Sequence, residues 1–175
     1  MTDFEDRDMK IAGVAEQDDS STGDAAAHAF KLQLENGNIE KAKLLGDLLA
    51  EKILPQISGF SPQKVILVRF CITNFVTVRL ADETLTHIVI DRFENALDDA
   101  FGTATEDDTA SEMYSLFLLA ARERINVAEH IARTYAGFCD DKEAAVDEAM
   151  KLYDFCDRLV ASLVKQLNFV GICLL

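Results

Sequence analysis

The most apolar run of the chain is residues 61–80, and its pattern fits two structures. Read with a period of two, one set of positions is almost entirely apolar and often β-branched, as in a strand. However, Ser61 followed by Pro62 is a typical helix start, because serine can cap an orphan amide and proline at the first helical position forfeits no hydrogen bond. The run is also long for a strand. We therefore predict a helix over 61–80, with strands in 64–80 as the alternative.

The next segment, residues 83–101, has apolar residues at spacings of three and four and acidic residues on the opposite side. This pattern predicts an amphipathic surface helix. Asp82 is available as its cap, and only Ala81 and Asp82 separate it from the central run. We expect the two segments to form an antiparallel helical hairpin.

Capping and turn residues predict two helices before the central run. Asp24 is expected to cap the first helix, and Gly37 to supply the left-handed residue that stops it. Asn38 is expected to cap the second helix. That helix should end near Pro55, because proline cannot continue a helix without losing a backbone hydrogen bond.

Two further helices are predicted after the acidic loop that follows residue 101. The sequence Thr-Ala-Ser-Glu from Thr109 matches a capping box, and apolar positions continue from there to about Gly137. Asp140 or Asp141 then starts a last helix. Its apolar seam steps by three and four as far as Leu174, which is typical of a helix packed on another helix.

These segments predict an all-α fold, a single bundle of about six helices in residues 24–175 around the central helix 61–80. The alternative is an α+β fold with strands in 64–80. A chain of 175 residues suits one domain. Residues 1–23 are acidic, contain Ser and Gly and show no sustained periodicity, so they predict a flexible tail.

The formal net charge of −14 excludes several partners. An acidic chain without a basic stripe repels nucleic acid and anionic membrane surfaces. Charged residues interrupt the central run too often for a membrane span, and the acidic start lacks the features of a signal peptide. The four cysteines form no CxxC pair, which favours reduced thiols. We expect a cytoplasmic protein that binds neither nucleic acid nor membrane.

Motifs for metals, cofactors and catalysis are absent from the sequence. No histidine stands three residues after a glutamate, as a di-iron bundle requires, and an EF-hand loop starting at Asp98 would lack its glycine. There is also no nucleophile elbow and no glycine-rich phosphate loop. The sequence therefore predicts no cofactor and no metal, and favours a protein that is not an enzyme.

Arg69 and Asn74 are the most informative polar residues, because both interrupt the run expected to be buried. One interpretation is structural, with Arg69 in an ion pair and Asn74 satisfied by hydrogen bonds. The other is functional, with both residues as polar anchors of a small-molecule pocket between helices. The expected ion-pair partners of Arg69 lie in the long helix after residue 109, and they are Glu112, Glu123 and Glu129.

His130 lies in a predicted helix with Glu129 before it and Arg133 one turn after it. This stretch resembles a histidine phosphotransfer domain, a helical bundle that presents an exposed histidine beside a basic residue. Arg133 stands where that family prefers lysine, and Thr134 follows where glycine is usual. The resemblance would make His130 a phosphoacceptor, and the alternative is a surface histidine without a role.

Three classes of function remain. The first is a non-enzymatic interaction or scaffold domain, the second is a small-ligand binder that uses Arg69 and Asn74, and the third is a phosphotransfer bundle that uses His130. The last helix carries more apolar surface than one bundle face needs. We therefore expect this surface to dock into the core of its own chain, or to contact a protein partner or a second copy in a homodimer formed through the C-terminal helix.

Overall fold

Helices account for nearly all of the described chain. The computed structural model describes residues 20–57, 61–102, 108–123 and 125–171. Within them a 3-10 turn, Leu54–Ile57, follows the second helix. The α-helices are α1 Ser20–Glu35, α2 Asn38–Ile53, α3 Pro62–Leu80, α4 Glu83–Phe101, α5 Asp108–Arg122, α6 Val127–Gly137 and α7 Lys142–Leu167. The predicted all-α bundle is confirmed, with seven described helices instead of about six.

The central run forms helix α3, so the alternative with strands in 64–80 is wrong. Its alternating β-branched residues do not produce a strand because neighbouring helices cover most sides of this helix. The helix starts at Pro62 and stops at Ala81, whose φ of 46° is left-handed. Its buried residues are Val65, Ile66, Leu67, Val68, Phe70, Cys71, Ile72, Phe75, Val76 and Leu80.

Side-chain caps fix the starts of α4 and α7 as predicted. Asp82 Oδ1 accepts a hydrogen bond from the Leu85 amide at 2.9 Å, and Asp141 Oδ1 accepts one from the Ala144 amide at 3.1 Å. Ser61 stands at the N-cap of α3, but its hydroxyl donates to Gln63 Oε1 at 2.6 Å. The predicted hydroxyl cap at Ser61 is therefore wrong, because the Gln63 side chain competes for it.

The long helix predicted from Thr109 to Gly137 is instead two helices, α5 and α6. Asn126 precedes α6 in the left-handed conformation, with φ of 49°, and this breaks the helical path. The break lets α6 pack back on α5 and also on α7. Since α5 already includes Asp108, Thr109 lies inside the helix and the predicted capping box there is wrong.

The outer limits of the bundle also differ from the sequence-based boundaries. Helix α1 begins at Ser20, so Asp24 lies within it and does not cap it. Helix α7 ends at Leu167, because Asn168 is left-handed with φ of 48°. The apolar seam therefore does not continue as a helix to Leu174. The predicted tail, apart from its last four residues, and the final residues 172–175 lie outside the described residues.

Helices α4, α5 and α7 pack directly against α3, and α2 packs on α4 while α6 packs on α7. The closest packing joins α2 to α4, α6 to α7 and α3 to α7. At Gly46 of α2, the backbones come so near that a Cβ atom would lie 2.6 Å from Arg92 Cβ and 2.9 Å from the Val89 carbonyl oxygen. Glycine at this position is therefore a requirement of the α2 and α4 contact.

A buried asparagine connects the two ends of the described bundle. Asn38 is fully buried, and its amide donates to the Gln33 side chain at 2.6 Å and to the Val170 carbonyl at 2.9 Å. Its Oδ1 accepts from the Val170 amide at 3.0 Å. The side chain thus anchors the segment after α7 to the corner between α1 and α2. Helix α2 begins at Asn38 itself, with Gly37 at the N-cap position, so the predicted cap by the Asn38 side chain is wrong. That side chain bonds to Gln33 and Val170 instead.

Candidate functional site

Arg69 faces helix α4 and forms an ion pair with Asp98. The distance from Arg69 Nη2 to Asp98 Oδ1 is 2.6 Å, and 20% of the arginine side chain is exposed. The expected partners Glu112, Glu123 and Glu129 are wrong. Helix α4 follows α3 directly and supplies the nearer carboxylate, whereas those glutamates lie on α5, α6 and the turn between them.

Arg69 also has a polar atom without a described partner. Within the described residues, Arg69 Nε is buried and makes no hydrogen bond. Thr73 Oγ1, one turn further along α3, is also buried and makes no hydrogen bond of normal geometry. Burial raises the pKa of the Tyr114 phenol. Interaction with the neighbouring Thr73 hydroxyl lowers that pKa, but by a smaller amount. Burial likewise raises the pKa of Glu94, and Arg69 only partly opposes this rise. These groups form a small polar layer between α3, α4 and α5.

Asn74 does not join this polar layer. Five residues along an α-helix rotate the side-chain direction by about 140°, so Asn74 and Arg69 point to different sides of α3. Asn74 is partly buried. The structure therefore does not bring together the two residues predicted to share a pocket.

His130 lies on α6 at the edge of a groove between α5 and α6. The groove has a volume of about 240 Å³ and is lined by Leu116, Leu119, Ala120, Glu123, His130, Arg133 and Thr134. His130 Nδ1 contacts the Glu123 carboxylate, whereas Arg133 pairs with Glu129 at 2.6 Å. The charged group that contacts the imidazole is therefore the Glu123 carboxylate, and not the Arg133 guanidinium. The phosphoacceptor role of His130 stays a prediction, tested by phosphate labelling that His130→Ala abolishes.

A polar network that sequence reasoning missed lies where α3, α6 and α7 meet. Lys64 Nζ lies 2.6 Å from Glu148 Oε1, although only 13% of the lysine side chain is exposed. The Tyr135 hydroxyl donates to Glu148 Oε2 at 3.0 Å. One carboxylate therefore joins a lysine of α3 to a tyrosine of α6.

The neutral members of this network have raised pKa values. Burial is the main cause for Tyr135, and the neighbouring Cys139 and Glu148 add to it. Burial also raises the pKa of the Cys139 thiol, although a hydrogen bond with Tyr135 acts in the opposite direction. The thiol and the phenol therefore stay protonated near neutral pH, and neither is an activated nucleophile.

Two surface grooves flank the ion pair between Lys64 and Glu148. The first has a volume of about 540 Å³ and is lined by Gln56, Lys64, Ala144, Asp147, Glu148, Lys151, Leu152 and Phe155. The second has a volume of about 320 Å³ and is lined by Ser61, Lys64, Tyr135, Cys139, Asp141, Ala144, Ala145 and Glu148. Because Lys64, Ala144 and Glu148 belong to both linings, we call the two together the Lys64 groove. Arg69 and Asn74 line neither part.

The signal for this site is weak in the sequence. Lys64 and Glu148 are 84 positions apart, and each occurs on a helix where a charged residue ordinarily faces water. What distinguishes Lys64 is its place near the start of the most buried helix. A charged residue at the end of such a run is the one local pattern that could have indicated the site.

Two further thiols of the described chain lie in the core. Cys71 and Cys156 are both buried, and burial followed by contact with Cys156 raises the pKa of Cys71 well above its ordinary value. The residues that the structure describes contain no cluster of three or more His, Cys, Asp or Glu side chains placed to hold a metal ion.

Comparison of the chain with protein-family models, with curated proteins and with solved structures gives no match. In the described ranges, no helix combines the length and the apolar character needed to cross a bilayer. Any function must therefore be argued from the site itself.

Proposed function

We propose that the chain is a small-ligand-binding helical bundle and that its ligand occupies the Lys64 groove. The observation that carries the proposal is the ion pair of a largely buried lysine with Glu148, situated between two concave surfaces. Burying the Lys64 ammonium costs part of its hydration free energy, whereas 42% of the Glu148 side chain stays exposed and can contact a ligand. A groove where polar groups converge is the usual setting of a ligand site.

The dimensions and lining of the groove support this proposal. A volume of about 540 Å³ falls within the range that small-molecule sites occupy, roughly 300–1,000 Å³. Leu152, Phe155 and Ala144 supply apolar surface, and the side chains of Lys64 and Gln56 supply polar groups. Such a mixture lets apolar contact provide affinity while a few hydrogen bonds fix the orientation.

A blocking substitution tests the proposed function. Ala144 is exposed and lines both parts of the groove, so Ala144→Trp fills the groove without entering the core. A fragment library of small carboxylates, amides and amines is screened by NMR shift mapping. We expect binding fragments to shift the amides of residues 144–155, and Ala144→Trp to abolish these shifts.

The matched control is Ala29→Trp, because Ala29 is an equally exposed alanine on α1. This variant is expected to bind the same fragments as the unmodified chain. The proposal fails when no fragment of the library shifts the groove residues, or when both tryptophan variants bind equally well.

The second candidate function is protein interaction, with a second copy of the chain as the partner. Leu119 is 57% exposed and lies with Leu116 at the groove between α5 and α6. Glu123 and Arg133 on the same face are already paired within the chain, so apolar contact of Leu116 and Leu119 would carry an interface between two copies related by a two-fold axis. The predicted dimer through α7 stays a prediction, and every large apolar side chain of α7 is buried or partly buried.

Sedimentation velocity over a concentration series tests self-association. We expect Leu119→Lys to shift the chain toward monomer, because it places a charge in the apolar contact. Leu44→Lys is the control, since Leu44 is 47% exposed on α2, away from this face. An unmodified chain that remains monomeric, or equal effects of both substitutions, argues against this interface.

A further inference from the structure

The carboxylates of the Lys64 groove already have partners. Both oxygens of Glu148 are used, one by Lys64 and the other by Tyr135. Asp147 pairs with Lys151 at 2.5 Å, and Asp141 caps the Ala144 amide. Each of these three carboxylates is therefore already engaged with a donor of the chain, although each keeps further lone pairs.

The lysines of the groove retain donors. An ammonium group carries three N–H bonds and accepts none, and one N–H is enough to face a single carboxylate oxygen. Lys64 and Lys151 line the same part of the groove, so each can direct further N–H bonds into it. Since the chain has a net charge of −14, its overall field opposes an anion, and these donors must act at short range.

An apolar wall continues from the lysines along α7. Ala144, Glu148, Leu152 and Phe155 follow one another at spacings of three and four, so they lie on the same face of the helix. Leu152 is buried and Phe155 partly buried. A ligand with its head group at Lys64 would therefore place its body against Leu152 and Phe155.

We propose that the Lys64 groove binds a small monocarboxylate with an apolar body, whose carboxylate accepts hydrogen bonds from Lys64 and Lys151. This inference rests on the proposed function and specifies its ligand class. A carboxylate accepts charge-assisted hydrogen bonds from the N–H groups that the two lysines do not use within the chain. The apolar body covers surface that is otherwise in contact with water.

Phenylacetate and its neutral analogue phenylacetamide are the probes. Their dissociation constants are measured by NMR titration at fixed ionic strength with the full chain. A hydrogen bond to a charged group contributes enough for about a tenfold difference, so we expect phenylacetate to bind about tenfold more tightly than phenylacetamide. Both should shift the amides of residues 144–155.

Two lysine variants locate the carboxylate. Lys151→Gln changes an exposed residue and should fold normally, and we expect it to weaken phenylacetate binding more than phenylacetamide binding, because the hydrogen bond to the amide carbonyl has no charge on its acceptor. Lys64→Gln should have the larger effect, and its fold is checked by thermal unfolding because it leaves Glu148 without its cation. Lys165→Gln, an exposed lysine elsewhere on α7, is the control.

The outcomes separate the ligand class from the proposed function. Equal binding of the two probes in the groove overturns the carboxylate assignment and leaves the groove as a ligand site. Phenylacetate binding that both Lys151→Gln and a folded Lys64→Gln retain also overturns it. If no probe and no library fragment shifts the groove residues, the ligand site itself is wrong.

Discussion

At the residue scale, Arg69 is held by a carboxylate that water can also reach. Because 40% of the Asp98 side chain is exposed, this aspartate can be hydrated when the arginine is removed. We expect Arg69→Met to lower the free energy of unfolding by about 1–2 kcal/mol, less than the roughly 3 kcal/mol of a fully buried pair. Urea unfolding of Arg69→Met, Asp98→Asn and the double variant measures the coupling.

The control for this cycle is the exposed pair of Arg92 with Asp47, whose shorter distance is 2.8 Å. Its coupling should be smaller than that of Arg69 with Asp98, since solvent screens both of its charges. Equal couplings would show that the partial burial of Arg69 contributes nothing to its ion pair.

Glu94 gives the polar layer a pH dependence of known sign. Burial raises its pKa above the ordinary 4.5, so the unfolded chain releases this proton at lower pH than the folded chain. The free energy of unfolding contributed by Glu94 therefore falls as pH rises from about 4.5 through the folded-state pKa. We expect Glu94→Gln to gain stability relative to the unmodified chain across this window.

Urea unfolding of both proteins at several pH values between 4 and 7 measures this difference. Subtracting the two curves removes the contributions of carboxylates that both proteins share. A difference that does not change with pH would mean that Glu94 titrates alike in the folded and unfolded chains.

At the scale of the elements, Gly46 determines how closely α2 approaches α4. The added methyl group of Gly46→Ala meets the Val89 carbonyl at 2.9 Å, so the helices must separate. We expect a loss of about 1–3 kcal/mol, typical of overpacking. Gly137→Ala is the control, because open space surrounds that position, and it should stabilise the chain by about 0.5 kcal/mol. Thermal unfolding of both variants tests this difference in sign.

The same scale shows why some helix boundaries could be predicted. Helices α3 and α4 begin where Pro62 and Asp82 act on the adjacent backbone, and such effects depend on local sequence alone. The break between α5 and α6 includes Asn126 in the left-handed conformation, within a run whose apolar spacing continues on both sides. Local pattern does not show that α6 gains more by packing back on α5 and α7 than by extending α5.

The candidate site was predictable only in part for a related reason. Arg69 is indicated by the apolar run that it interrupts, whereas its partner depends on which helix lies opposite. Glu148 has no local signal, because a glutamate on an amphipathic helix has the same pattern whether it faces water or Lys64. A contact between residues so distant in sequence follows from the packing of the whole bundle.

At the scale of the whole molecule, the anchoring of Val170 by Asn38 has a consequence for folding kinetics. The two residues are 132 positions apart, and closing so long a loop costs chain entropy before the intervening helices have docked. The contact should therefore be absent from the folding transition state. We expect Asn38→Ala to accelerate unfolding and to leave the folding rate nearly unchanged in stopped-flow measurements. A folding rate that falls in proportion to stability would place this contact in the nucleus. If only unfolding accelerates, the contact of Asn38 with Val170 prolongs the lifetime of the folded bundle, whereas other contacts determine how fast the bundle forms.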